Sequence, residues 1–314
     1  SMAEIDAVGH RVVQGGDIFK NSVLVTDSVI DQIEALAELA PLHNHAHVLG
    51  MKAVQKLLPD VPQTAVFDTA FHQTMPKEAF LYALPLEQYT KYKIRRYGFH
   101  GTSHAYVSAK AAELIGKKGK IITCHLGNGA SISAIDNGKC LDTSMGFTPL
   151  AGLVMGTRCG DIDPYIPLYI CKSQNKTPDE VNEILNKRSG MFGLCGYSDN
   201  RDVETLFGVE EKATDAMNAY IHSIIRFIGS YIAVLGGVDA IVFTAGIGEN
   251  GSLVRKLVLE RLQYLGITLD EEANNRRGNI EEISTPDSQV RVFVIPTDEE
   301  YMIAKDTMNI VFSA

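Results

Sequence analysis

The sequence predicts an α/β fold, and three observations carry that reading. Short runs of buried-strand character alternate along the chain with amphipathic helical stretches, the pattern of sheets covered by helices. Two strand runs end in glycine turns, Gly127-Asn128-Gly129 and Gly246-Ile247-Gly248, where bare backbone can approach a ligand closely. The length of 314 residues fits two domains of roughly 100–200 residues, each large enough for its own core.

The elements follow in order. Ala7–Val13 (A-V-G-H-R-V-V) reads as a strand, so the chain opens inside a strand pattern. Thr26–Ala40 reads as a helix: Ile30, Ile33, Ala37 and Ala40 recur at helical spacing and Pro41 stops it. Thr64–Asp68 (T-A-V-F-D) is a short buried strand. Thr102–Gly116 is a helix with Tyr106, Val107, Ala111 and Leu114 inward. Lys120–Leu126, Ala130–Ile135 and Lys139–Thr143 form a meander, with Asp136-Asn137-Gly138 as its second turn. Thr177-Pro178-Asp179-Glu180 is a capping box with proline at the first helical position; that helix runs to Arg188, with Gly190 near its C-terminal cap. Val209–Leu235 is a long helical stretch. Asp239–Thr244 is a strand that feeds Ala245–Asn250 and a helix through Leu265. Gln289–Ile295 alternates as a strand, and Pro296-Thr297-Asp298-Glu299-Glu300 starts a final helix.

Composition excludes several classes. Apolar residues at 45% and charged residues at 21% are ordinary for a folded chain, not a disordered one. A formal charge of −9 argues against binding nucleic acid through its phosphates, and Arg95-Arg96 and Lys117-Lys118-Gly119-Lys120 are too short to build a basic face. No apolar run approaches the roughly 18–20 residues of a membrane-spanning helix. Five cysteines, at 124, 140, 159, 171 and 195, are odd in number and form no C-x-x-C. That usage fits a reducing compartment, hence a cytoplasmic location.

Candidate chemistry starts from the glycine turns. Each is on its own an ordinary tight turn; two of them after buried strands raise the prospect of a nucleotide cleft between them, with N–H groups facing an anion. Eight of nine histidines precede residue 126, but no H-E-x-x-H or cysteine partner accompanies them, which argues against zinc. They read either as hydrogen-bonded core histidines or as donors to a transferring phosphoryl group. Arg11, set between apolar neighbours, needs a partner: a structural salt bridge, or a substrate carboxylate or phosphate held by its planar fork. Arg158 is flanked by glycines in G-T-R-C-G-D, which favours a positioned arginine over a packing one. Asp68 ends a strand, where it either caps a turn or sits in an α/β site.

These residues sit in segments that together resemble the acetate kinase family. The segments are G-H-R-V-V (9–13), A-P-L-H-N (40–44), F-D-T-A-F-H (67–72), R-R-Y-G-F-H-G-T-S-H (95–104) and H-L-G-N-G-A-S (125–131). D-T-S-M-G-F-T-P-L (142–150), G-T-R-C-G-D-I-D-P (156–164), F-T-A-G-I-G-E-N (243–250) and P-T-D-E-E (296–300) complete the set, in the family's order and over almost the whole chain. The resemblance implies two ribonuclease-H-like domains of the actin-like ATPase kind: residues 1–69 plus 301–314 as what this chain holds of the first, and 70–300 as the nucleotide-binding and dimerisation domain.

The resemblance also implies roles. Arg11 corresponds to the arginine on the acetate carboxylate, and Val13, Leu42, Phe99 and Pro149 to the pocket for its methyl. Asp68 corresponds to the acidic active-site residue, and His100 and Arg158 to the pair on the transferring phosphoryl group. His125, Leu126, Gly127, Asn128 and Gly129, with Gly246, Ile247, Gly248, Glu249 and Asn250, correspond to the nucleotide loops. Asp199, Asn200 and Arg201 lie where the family contacts the nucleoside. Glu299 corresponds to the metal-linked glutamate, with Mg²⁺ (or Mn²⁺) as the ion and ATP/ADP as co-substrate. A homodimer through the second domain is implied, with no nucleic acid or membrane partner. The reaction is then reversible transfer of the ATP γ-phosphoryl group to acetate, giving acetyl phosphate and ADP.

Departures sharpen this expectation. Gln14 stands at a usual His, His45 and His47 at a usual Pro and Asn, Ala151 at a usual Glu, and Asp298 at a usual Asn. The family's opening N-x-G-S-S-S-x-K motif has no counterpart, so the first domain reads as incomplete at its N-terminus and the 314-residue chain as impaired. The alternatives are a propionate, butyrate or pyrophosphate-dependent acyl kinase, or a non-catalytic nucleotide-binding remnant. Val13 argues against longer acyl chains, because its branched side chain crowds the space an extra methylene needs.

Overall fold

A computed structural model describes residues 4–39 and 43–312. Leu42, expected in the acetyl pocket, lies outside the described residues. In chain order the elements are β1 (Val8–Val12), β2 (Val23–Leu24), α1 (Asp27–Ala35), α2 (Asn44–Leu57) and β3 (Gln63–Phe67). Next come α3 (Lys77–Phe80), α4 (Leu86–Thr90), α5 (Gly101–Ile115), β4 (Lys120–Leu126), β5 (Ala130–Asp136) and β6 (Lys139–Thr143). The helices α6 (Tyr165–Ser173), α7 (Pro178–Lys187), α8 (Gly190–Cys195), α9 (Asn200–Leu206) and α10 (Glu211–Leu235) follow. The last part holds β7 (Ala240–Thr244), α11 (Ala245–Asn250), α12 (Ser252–Glu260), α13 (Glu271–Asn274), β8 (Glu281–Glu282), β9 (Arg291–Val294) and α14 (Glu299–Phe312).

Two sheets organise them. The first has the order β1-β3-β2, with β1 and β3 parallel. The second has the order β6-β5-β4-β7-β9-β8; its centre β4-β7-β9 is parallel, and β4-β5-β6 is the expected antiparallel meander. Strand periodicity divides this second sheet between two helices. Ile121, Ile135 and Val242 pack with Val107 and Ala111 of α5. Ile122, Cys124 and Ile241 face the other way, toward Tyr220, Ile224 and Ile228 of α10. The C-terminal helix α14 lies against β1, β3 and α5 and so joins the two sheets. Its close approach to β1 depends on Gly9, where a Cβ would lie 2.5 Å from Ile303 Cγ2 and 2.6 Å from Thr307 Oγ1.

Four local expectations shift. Helix α1 ends at Ala35 and passes into a 3₁₀ turn, Leu36–Glu38. Leu114 is 41% exposed, because Ile115, four residues beyond Ala111, takes the inward position. Gly190 opens α8 instead of capping α7; its φ of +63° brings it so close to the Met155 carbonyl that no Cβ fits. The helix after Gly246 is two pieces, divided at Gly251. The capping box is present, with Thr177 Oγ1 accepting from the Glu180 N–H and Glu180 accepting from the Thr177 N–H.

Candidate active site

Parallel pairing of β1 and β3 puts Arg11 opposite Val66, and Asp68 directly after the end of β3, at the carboxyl edge where α/β sheets form sites. The Arg11 guanidinium meets Asp68 side-on: Nε donates to Oδ1 at 2.9 Å and Nη2 to Oδ2 at 2.7 Å. The salt-bridge reading of Arg11 is thereby observed. Two of its five N–H groups are spent on a buried carboxylate, and the Nη1/Nη2 edge stays available for a second one. The pairing with Asp68 pushes the Arg11 pKa up. Glu299, the first residue of α14, lies nearby; burial first, then the Asp68 charge, raise its carboxyl pKa.

The second group is built on the α5 N-terminus and the meander. His100 adopts a left-handed conformation, φ 57°, just before α5. Its ring stacks on His125, centroids 4.0 Å apart and planes within 18°. A Cβ on Gly129 would lie 3.4 Å from Arg158 Nη1 and 3.7 Å from His100 Nε2, so these two donors converge over a bare backbone surface. Arg158 is steadied by Nη1 donating to the Pro149 carbonyl at 3.1 Å. Burial is the main cause that pulls Arg158, His100, His104 and His125 downward, His125 to about 4. Nearby Arg11 adds to the effect on both His100 and His125. Burial thus favours the neutral form of these imidazoles.

The third group is a cleft of about 690 Å³ lined by Gly127, Asn128, Asp199, Asn200, Arg201, Gly246, Ile247 and Asn250. Residues of both glycine turns line it, and a Cβ built on Gly127 would lie 3.8 Å from the Ala245 Cβ. Asp199 caps α9 and holds Arg201 with both carboxylate oxygens. Four expected nucleotide residues stand behind this surface, His125 among them at 6% exposure. The Leu126 side chain and Gly248 are buried, and Glu249 Oε1 turns back to accept from the N–H groups of Ala245 and Thr297. Their role is to shape the loop rather than to line it.

Val13 and Phe99 are buried together in the large core cluster beside this edge, at 8% and 2% exposure. Two residues outside the sequence expectation join the site. The His43 pKa is lowered by burial first, then by the charges of Arg158 and Arg11. Its position beside Leu42 in A-P-L-H-N was the available signal. Arg255 is fully buried without a carboxylate; it donates to the carbonyls of Gly248 and Glu249 and to Asn274. Burial lowers it to about 10. It fixes the Gly246–Asn250 turn from behind, and nothing in R-K-L-V-L distinguishes it from a surface arginine.

Among the described residues no three His, Cys, Asp or Glu side chains cluster as a ready metal cage. Asp68 and Glu299 are oxygen donors, which fits magnesium: that ion keeps several waters and takes one or two carboxylates plus substrate phosphates. With both Asp68 oxygens engaged by Arg11, Glu299 is the freer ligand.

The model of the Acetokinase family matches residues 1–305. An acetate kinase of Halothermothrix orenii is 58% identical over 318 residues, covering 100% of this chain and 80% of that protein. The crystal structure of Porphyromonas gingivalis acetate kinase superposes with a TM-score of 0.95 at 50% identity, over 99% of this chain and 79% of the other. A propionate kinase from Francisella tularensis subsp. tularensis SCHU S4 matches with a TM-score of 0.95 at 45% identity, over 99% and 80%. The two sheets are accordingly those of the two-domain, actin-like ATPase fold, and the chain belongs to the acetokinase family.

Proposed function

We propose that this chain is an acetate kinase, transferring the γ-phosphoryl group of ATP to acetate and back. The observation that carries the reading is the convergence of Arg158 and His100 Nε2 over Gly129, in a chain whose Arg11 fork is half free and whose glycine turns frame a nucleotide-sized cleft. Acetate is ionised at neutral pH, so no base is needed to make the nucleophile. The task is to bring an anion to a polyanion, which is a matter of position and charge. Arg11 offers its open edge to the carboxylate. Arg158 and neutral His100 donate to the phosphoryl oxygens, and the turns at 127–129 and 246–250 hold the nucleotide. Val13, Phe99 and Pro149 bound the methyl group. Asp68 holds Arg11 in register and is no proton acceptor. Glu299 would hold Mg²⁺, which supplies charge neutralisation on the phosphates.

The two sheets support a division into residues 1–69 plus 301–314 and residues 70–300, with α14 returning to the first sheet. A homodimer through the second unit and a cytoplasmic location belong to the same reading; the five cysteines are free.

Hydroxamate trapping tests the function. ATP, Mg²⁺ and acetate are expected to give acetohydroxamate with hydroxylamine, assayed with the 314-residue chain and with a form extended to its relatives' length. Binding of Mg-ADP by calorimetry without product from either form would overturn the kinase reading in favour of a nucleotide-binding module. Competition by ADP but not pyrophosphate separates the nucleotide from a pyrophosphate donor.

A further inference from the structure

Behind His100 runs a line of buried groups. His100 Nδ1 meets Ser131 Oγ at 2.9 Å, Ser131 Oγ meets His104 Nε2 at 2.7 Å, and His104 Nδ1 meets Thr123 Oγ1 at 2.6 Å. Ser131, His104 and Thr123 are each fully buried. We propose that Thr123, His104 and Ser131 form a proton-ordered relay that holds His100 as its Nε2–H tautomer, aimed at the transferring phosphoryl group.

The polarity follows from counting hydrogens. Ser131 has one hydroxyl hydrogen and two imidazole neighbours, so one ring accepts from it and the other must donate to it. With both rings neutral, two orders are possible. In one, His100 Nδ1–H donates to Ser131, Ser131 donates to His104 Nε2, and His104 Nδ1–H donates to Thr123. Thr123 has no other hydrogen-bond partner among the described residues, so its own O–H would then be buried without an acceptor. In the reverse order every group is satisfied. Thr123 O–H donates to His104 Nδ1, His104 Nε2–H to Ser131, and Ser131 O–H to His100 Nδ1. The remaining hydrogen of His100 is then on Nε2, the nitrogen beside Gly129 and Arg158. Opposite polarity would aim a lone pair at phosphoryl oxygens, where only a donor is useful.

Thr123, His104 and Ser131 are positioning residues, and their role rests on the reading of His100 as a phosphoryl donor. ¹⁵N-histidine NMR of the full chain, with His100 assigned by loss of its signals in His100→Gln, reads the tautomer directly. The expected spectrum has His100 Nδ1 unprotonated and Nε2 protonated. Thr123→Val keeps the shape but removes the leading O–H; His100 should become a mixture of tautomers, and Thr123→Ser should restore it. Thr123→Val should lower kcat about tenfold, the low end for removing an outer partner of a working histidine, with KM for acetate and ATP nearly unchanged. A wild-type Nδ1–H tautomer, or a Thr123→Val spectrum identical to wild type, overturns the relay. Full activity in His100→Gln overturns the phosphoryl role instead, whatever the spectrum shows.

Discussion

Arg11 grips Asp68 through Nε and Nη2, and it does so side-on, with 47% of the arginine side chain exposed against 2% of the aspartate. One partner is anchored and the other reaches outward. Arg11→Lys keeps a charge but loses the fork, so KM for acetate should rise at least tenfold while Mg-ADP affinity holds. Arg11→Ala goes further, leaving the Asp68 carboxylate buried and unpaired, and should cost about 3 kcal/mol of stability. Urea unfolding of both variants checks the difference; equal stability would mean Asp68 finds water in place of Arg11.

Gly129 offers a cleaner probe of the phosphoryl position. A methyl group there fits, at 3.4 Å from Arg158 Nη1 and 3.7 Å from His100 Nε2, but it stands between the two donors. Gly129→Ala should leave the melting temperature nearly unchanged and lower kcat by about 10²-fold, as for loss of one transition-state donor. A variant with wild-type kcat would move the transferring group elsewhere.

On the proposed reading, Val13 limits the acyl length. One methylene is worth only about 1–3 kcal/mol of discrimination, so propionate should be a poor substrate and not an inert one. Val13→Ala should raise kcat/KM for propionate relative to acetate by about tenfold. No change in that ratio would take Val13 out of the pocket.

Magnesium dependence should follow Glu299. Its pKa is raised above the ordinary 4.5, so protonation competes with the metal at a higher pH than for a solvated carboxylate. As pH falls, the Mg²⁺ concentration for half-maximal rate should climb earlier than for an ordinary carboxylate. Glu299→Gln should need more Mg²⁺ at every pH and lose that dependence. A parallel pH curve in the variant would assign the metal to another group.

The buried histidines make the fold acid-sensitive. His72 and His125 fall to about 4, and His100 and His104 drop well below 6.5, with burial the largest cause in each. A depressed histidine binds fewer protons folded than unfolded, so its contribution is complete above about pH 6.5 and drains away as pH falls toward 4. A shift of that size is worth on the order of 3 kcal/mol for His72 alone. Denaturant unfolding between pH 7.5 and 5 should show the loss, and His72→Gln should flatten the slope.

The meander and the capping box were legible because each has a local cause: Asn137-Gly138 at a turn, Thr177 reaching Glu180. The Arg11–Asp68 pair was half legible. The need for a partner followed from burying a charge, but the partner lies 57 residues away and is fixed only by the β1–β3 register. Arg255 and the Thr123–His104–Ser131 line were not legible at all. A threonine in a strand and a histidine on a helix show their hydrogen bonds only after α5 has docked on β4. The loop residues Leu126 and Glu249 carried the family pattern, yet their side chains turn away from the cleft, since a motif preserves a backbone path as well as a set of ligands.

Gly9 lets α14 settle directly on β1, and Glu299 rides on the first turn of that same helix. The height of the helix above the strand is therefore a gauge, and the missing Cβ is its zero mark. A single methyl at position 9 would lift the helix and carry the Glu299 carboxylate with it. On the proposed reading of Glu299 as the Mg²⁺ ligand, such a lesion would present as a raised magnesium requirement with Glu299 itself unchanged.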